Sequence, residues 1–304
     1  MPATWIDLLD PDREQVQAAL PLRLHPRALD QLLEPAVHED EPRPTVEGHG
    51  DYIFAVFLIA VAEPDTDSIY YQEIDIVATR DAIVTVRKMP PGKEPYECDA
   101  IKELHDKGHI DSVGMIIYYI VDDVAERYLD LTDALEEEID ELEDNVEAWP
   151  QDRVRERIST LRHDLLHVRR TLAPTRDAVR GVIDNRVELE GSAELFTRDV
   201  ELSFADAYDK ILRATEALEL ARDLVAGVRD YHQSKVANDQ NEVTKRLTAI
   251  ASILLLPTFI VGVYGQNFRH IPELRWGFGY WWSWGWIVVT TVAQVIYFRR
   301  KRWL

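Results

Sequence analysis

Asn241, Thr244, Thr248, Ala251, Leu255, Thr258 and Gly262 recur every three or four positions, which on a helix is one stripe. The stripe mixes amide and hydroxyl groups with small residues and one Leu. A heptad-like seam of this kind favours parallel association of copies. Two helices alone cannot enclose water, but a ring of symmetric copies can, with the stripe lining a hydrated path. Small and hydroxyl residues also collect where helices simply pack, so spacing leaves both readings open. A second set of chemical groups is the carboxylate run Glu136, Glu137, Glu138, Asp140, Glu141, Glu143 and Asp144. Such a run is a solvated face or a face that attracts divalent cations. His163 and His167 stand four apart, a spacing that can hold zinc, but no accompanying Glu makes a metalloprotease pattern. They read as polar surface.

The elements that must position the stripe come next. Leu247 to Tyr264 (LTAIASILLLPTFIVGVY) has no charged residue and meets the lower length limit for a transmembrane helix. Tyr280 to Phe298 is also uncharged, and Trp281, Trp282, Trp284 and Trp286 cluster at one end, as in an interfacial aromatic belt. Lys245 and Arg246 precede the first span; Arg299, Arg300, Lys301 and Arg302 follow the second. The positive-inside rule then puts both termini in the cytoplasm, with Gly265 to Gly279 as a short outer connection. The Trp belt and the uncharged lengths disfavour a buried hairpin of a soluble protein.

Upstream the chain changes character twice. Up to about Lys107 it reads as mixed α and β. Tyr52–Ala62, Ile69–Ala78 and Ala82–Val86 are the strands, and Pro11–Leu20 and Pro26–Leu33 short helices. From Ser112 to Trp149 apolar residues fall at helical spacing (Ile116, Ile120, Val124, Leu131, Leu135, Ile139, Leu142, Val146). Gln151 to Val187 repeats the pattern, with Pro174 expected to kink or end it locally. These two make an antiparallel helical hairpin. A third helical pattern starts near Phe204 and continues into the first span, about 90 Å if unbroken. The expected fold is therefore an α+β domain, a mixed sheet with a long helical hairpin, followed by a stalk helix and two C-terminal spans.

Composition excludes several classes. The 304 residues carry a formal net charge of −21; the acidic excess lies before Leu247, and the rest of the chain is net basic. Such acidity repels nucleic acid and suits cations as partners, or simply keeps the domain soluble. Cys98 is the single cysteine, so no intrachain disulfide forms. The first twenty residues, with Asp7, Asp10, Asp12 and Glu14, have no signal-peptide core. No Walker loop, GxSxG elbow or dinucleotide fingerprint supports an enzyme.

The stretch NEVTKRLTAIASILLLPTFIVGVYGQNFRHIPEL, Asn241 to Leu274, resembles the signature region of the CorA family, also called the two-TM GxN family. The matching elements are the Asn-Glu-Val start, Leu-Thr at the membrane entry, the Pro in the span, and Tyr264-Gly265-Gln266-Asn267-Phe268 before Pro272-Glu273-Leu274. The order of elements over the rest of the chain resembles the family too. The resemblance implies a homopentameric funnel in the cytoplasmic (inner) membrane that takes up Mg2+, or Co2+ or Ni2+, and is closed by internal divalent cation. It implies a cytoplasmic domain over residues 1–195 and a stalk over 196–246. The spans are 247–264 and 280–298, the outer loop 265–279 and the basic tail 299–304. Asn267 then rings the outer mouth and meets the water shell of the cation, with Tyr264, Gly265 and Gln266 completing the signature. Asn241, Thr248 and Thr258 are polar rings in the pore, and Leu247 and Leu255 apolar constrictions that gate by dewetting. Asp206 corresponds to the stalk carboxylate of an intersubunit regulatory cation site, with Asp65 or Asp67 as its partner from the α/β domain. Gln266 stands where the family has Met, which zinc-transporting relatives also lack, and Arg269 where many members have an acid.

Two alternatives remain: a proton-coupled zinc transporter of the ZntB kind, and a membrane-anchored coiled-coil scaffold. The scaffold has no use for Tyr264 to Asn267 or for the polar stripe.

Overall fold

The computed structural model describes residues 3–20, 22–36, 41–63, 68–187, 189, 195–267 and 271–304. Contacts divide the chain into two compact units, Met1–Val228 and Arg229–Leu304.

The first unit is built on a five-stranded sheet: β1 (Thr4–Leu9), β2 (Thr45–Gly48), β3 (Ile53–Glu63), β4 (Ser68–Ala78) and β5 (Ala82–Arg87). Its order is β1-β5-β4-β3-β2, with β1 parallel to β5 and the other pairs antiparallel, so the sheet is mixed as expected. β1 and β2, the two edge strands, were not expected. Each is short and only partly buried, and so lacks a strong apolar run. Side chains alternate between two cores, as the period of a strand requires. Ile53, Ala55, Phe57 and Ile59 enter one core; Phe54 and Val56 enter the other.

The smaller core lies under α1 (Arg13–Ala19) and α2 (Pro26–Leu33). Asp12 and Gln15 form a reciprocal capping box on α1, and Pro26 opens α2 at a position that needs no N–H donor. The larger core lies under α3 (Asp99–Asp106), α4 (Val113–Asn145), α5 (Gln151–Ile183) and the first part of α6 (Arg198–Tyr264). Ser112 caps α4 by accepting from the Met115 N–H at 3.2 Å. The apolar stripe expected on α4 is the buried one: Ile116, Ile120, Val124, Leu131, Leu135, Ile139 and Leu142.

Three boundaries differ from expectation. Pro174 does not end α5, which continues past it to Ile183, short of the expected Val187. Its neighbours Thr171, Leu172 and Thr175 are buried, and the Thr175 hydroxyl donates to the Thr171 carbonyl at 2.8 Å, so packing on both sides overrides the lost N–H donor. α6 begins at Arg198, a turn and a half before Phe204, because Val200 and Phe204 bury on the same side. α3 was not expected at all; it is held by Lys102, which pairs with Asp7 of β1.

The second unit contains the rest of α6, a 3-10 turn at Pro272–Arg275 and α7 (Gly279–Arg300). α7 packs on α6 near Ala249, which is fully buried, and the Gln294 amide donates to the Ser252 carbonyl at 3.2 Å.

Candidate functional site

The polar stripe stands clear of α7. Asn241, Thr244, Thr248, Ala251, Leu255, Thr258 and Gly262 are all exposed, while Ala249, Ser252, Ile253, Leu256 and Ile260 on another face are buried or half-buried. Leu247 is 63% and Leu255 70% exposed, far too open for apolar side chains in water unless something covers them. The same holds for Leu254, Phe259, Val261, Trp281 and Val289 around the two helices. The Leu247–Tyr264 part of α6 is the one stretch, among the described residues, long and apolar enough to cross a membrane by length and composition. α7 draws much of its apolarity from Trp, Tyr and Gly and falls short of the same measure.

The hydroxyls of the stripe have a fixed polarity. Thr244 donates to the Gln240 carbonyl (2.8 Å), Thr248 to Thr244 (2.8 Å) and Thr258 to Leu254 (2.7 Å). A hydroxyl has one hydrogen and two lone pairs. With these hydroxyls bonded back onto the helix, the three threonine oxygens offer lone pairs outward, while the Asn241 amide carries both donor and acceptor. Water bound to a cation points its hydrogens away from the metal, so such lone pairs suit a hydrated cation. Pro257 lies within the helix between these groups. The tight register at the end of the helix depends on Gly265. Its N–H donates to the Val261 carbonyl at 2.8 Å, and a Cβ there would stand 3.1 Å from that oxygen. The glycine serves close approach; its φ is not in the left-handed region. Gln266 and Asn267 follow at once and are exposed. Phe268 and Arg269 lie outside the described residues.

The candidate regulatory residue Asp206 lies on α6 in the first unit, and its side chain is 66% exposed. Sequence reasoning missed its neighbour. Lys210 Nζ sits 2.7 Å from Asp122, 2.6 Å from Glu126 and 3.8 Å from Asp206. Burial opposes the charge on Lys210, but Asp122 and Glu126 hold the ammonium protonated well above the usual range. A helix pattern places residues four apart on one face, so Lys210 was legible as a partner of Asp206; its reach across to α4 was not. Asp65 and Asp67 lie outside the described residues. Among the described residues no group of three or more His, Cys, Asp or Glu side chains could hold a metal ion, and Asp206 belongs to no such group there.

His167 bonds Glu41 at 2.9 Å and meets the edge of Tyr71, with ring centroids 5.0 Å apart. It is a packed structural group there. A further charged cluster lies buried beneath the sheet. Lys88, 1% exposed, pairs with Glu73 (2.6 Å) and Asp75 (3.3 Å) and donates to the Gln31 carbonyl at 2.7 Å. Total burial, with Glu73 adjacent, holds Asp75 protonated well above the usual carboxylate range.

The model of the CorA-like Mg2+ transporter protein family matches residues 3–300. The chain belongs to the CorA family. It is 29% identical to the cobalt/magnesium transport protein CorA of Thermotoga maritima, over 99% of this chain and 83% of that protein. It is 25% identical to the protein of the same description from Methanocaldococcus jannaschii, over 99% and 91%. The solved structure of the CorA magnesium transporter from Methanocaldococcus jannaschii matches with a TM-score of 0.76 at 23% identity, covering 99% of this chain and 91% of that one. The full-length CmaX protein matches at 0.73 with 21% identity, over 98% and 88%. At these identities the structural matches establish the fold, and the CorA fold is the α+β domain, hairpin, long helix and C-terminal helix described above.

Proposed function

We propose that this CorA-family chain carries divalent cations, Mg2+ foremost and with Co2+ and Ni2+ as further cargo, into the cell across the cytoplasmic membrane. The observation that carries this reading is the line of outward threonine lone pairs on α6, on a face that α7 leaves open, ending at Tyr264-Gly265-Gln266-Asn267. A single chain cannot close a path around that face, so the working unit is a homopentamer with the α6 stripes inward. Asn267 rings the outer mouth and accepts hydrogen bonds from the cation's water shell, which suits an ion that dehydrates reluctantly. Asn241, Thr248 and Thr258 form polar rings below it, and Leu247 and Leu255 form the apolar constrictions.

Residues 247–264 and 280–298 are the two spans, and the basic groups at Lys245, Arg246 and Arg299–Arg302 keep both termini in the cytoplasm. Closure uses internal divalent cation bound between subunits, with Asp206 as one carboxylate. Among the described residues Asp206 joins no group of metal ligands, which supports a neighbour supplying the others. Cation bound there favours the closed ring, and its loss lets the acidic domains repel one another.

Liposomes loaded with ion-sensitive dye test the reading with Mg2+, Co2+, Ni2+ and Zn2+, with and without a proton gradient. Mg2+ uptake without a gradient is expected. Uptake confined to Zn2+ and dependent on the gradient would replace the channel with a proton-coupled zinc transporter, and no uptake of any ion would leave a scaffold.

A further inference from the structure

In the first unit α5 and α6 leave between them a groove of about 250 Å³. Its floor is apolar, with Leu165, Leu172 and Leu218 buried. Its rim is cationic. Arg162, Arg169 and Arg176 stand seven residues apart on α5, about 10 Å from one to the next along a helix, and Arg222 faces them from α6. Glu219 is the one carboxylate in the lining. Among the described residues Arg176 and Arg222 meet only the carboxylates next to them in sequence, Asp177 and Asp223. Among the described residues no carboxylate pairs with Arg162 or Arg169. Four guanidiniums around an apolar floor, on a chain of net charge −21, form a surface made for an acidic partner.

The complement lies on the same chain. The outer face of α4 exposes Asp130, Asp133, Glu137, Asp140, Glu141 and Asp144, none with an ion pair among the described residues. Asp130, Glu137 and Asp144 share the seven-residue step of the arginines. The two faces do not meet within one subunit, where the hairpin pairs through Glu138 and Arg157 at 2.9 Å. They flank α6 on different sides. Lys210 of α6 reaches Asp122 and Glu126 of α4, while Thr215 and Arg222 of α6 line the groove beside α5. The heights also agree. Gly114 lies against Val200 and Asp122 against Lys210, so α4 and α6 run parallel, and that register puts Thr215–Arg222 level with Asp130 and Asp133.

We infer that the groove receives the acidic face of α4 from a neighbouring copy of this chain, so that each subunit's arginines are completed by the next subunit's carboxylates. Such a contact joins two different surfaces, and repeated by rotation it closes a ring. It rests on the multi-copy reading above and adds the surfaces by which the copies meet.

Cysteine cross-linking of the full chain in native membranes tests it, because the single native cysteine, Cys98, is buried and silent. Arg169→Cys with Asp133→Cys in one chain is expected to give an oxidation-dependent ladder up to the full ring, and either substitution alone no band above the monomer. Arg162→Glu with Arg169→Glu is expected to raise the subunit concentration needed for assembly at least tenfold, and adding Asp130→Arg with Asp133→Arg to restore it. A ring in which Arg169→Cys with Asp133→Cys gives no cross-link, and which charge reversal leaves intact, overturns this contact and leaves the transport reading standing. An added small mass in the wild-type ring, lost in Arg169→Glu and accompanied by no cross-link, also overturns it, since the groove then holds an anionic amphiphile. A wild-type chain that forms no ring removes both proposals.

Discussion

Lys210→Met should make the channel close at lower internal Mg2+. The ammonium stands 3.8 Å from Asp206. A divalent ion held on the far side of that carboxylate lies roughly 6 Å from the ammonium, where Coulomb's law at the dielectric of water gives about 1.4 kcal/mol of repulsion. Asp206 is 66% exposed, so water's dielectric is the right choice. At physiological salt the Debye length is about 8 Å, which roughly halves the repulsion. Removing the charge then tightens binding about three- to tenfold, and the midpoint of closure moves down by that factor. The assay is protease protection, or current, against internal Mg2+ at fixed ionic strength. Lys210→Arg keeps the charge and should keep the midpoint; Asp206→Asn should raise it without abolishing conduction. Native mass measurement confirms that each variant still assembles. If the midpoint in Lys210→Met is unchanged or rises, Asp206 holds no regulatory cation, although the α6 path would survive.

Lys88→Met leaves Glu73 buried without its cation beside the protonated Asp75 and should cost about 3–5 kcal/mol, a fall in the unfolding midpoint on the order of 10 °C by calorimetry, with Glu73→Gln recovering part of it. Burial works against the charged form of Asp7, but Arg87, Lys102 and Thr85 hold its carboxyl below the usual range. Its contribution to stability is therefore present above the unfolded value near 4 and lost as pH falls through the folded one, so Asp7→Asn should flatten the acid limb of a melting-temperature profile. On the proposed pore, Leu255→Asn should wet the constriction and raise uptake severalfold at internal Mg2+ that closes the wild type, read by dye in liposomes.

Much of this architecture is legible in the sequence because its signals are local. The α4 stripe from Ile116 to Leu142 repeats with the helical period, the strand at Ile53 is a short continuous apolar run, and the run at Leu247 is uncharged over a membrane's length. What escaped depends on distant neighbours. β1 pairs with β5 across some eighty residues and is only half-buried, so its own residues announce little. Pro174 predicts a kink or an end, and the helix does not end there, with Thr171 and Thr175 buried around it. In the candidate path, the positions of Asn241, Thr248 and Thr258 follow from spacing, but the inward turn of each threonine hydrogen, which leaves its oxygen's lone pairs outward, needs the coordinates. Lys210 beside Asp206 is a four-residue pair that sequence contains; its bonds to Asp122 and Glu126 are not.

The most direct test of the central claim is Mg2+ uptake into liposomes by wild type and Asn267→Ala at equal amounts of assembled protein. If the α6 stripe and its terminal Tyr264-Gly265-Gln266-Asn267 carry the ion, wild type takes up Mg2+ and Asn267→Ala falls to the rate of empty liposomes while still forming the same oligomer. Uptake by Asn267→Ala near the wild-type rate would contradict it.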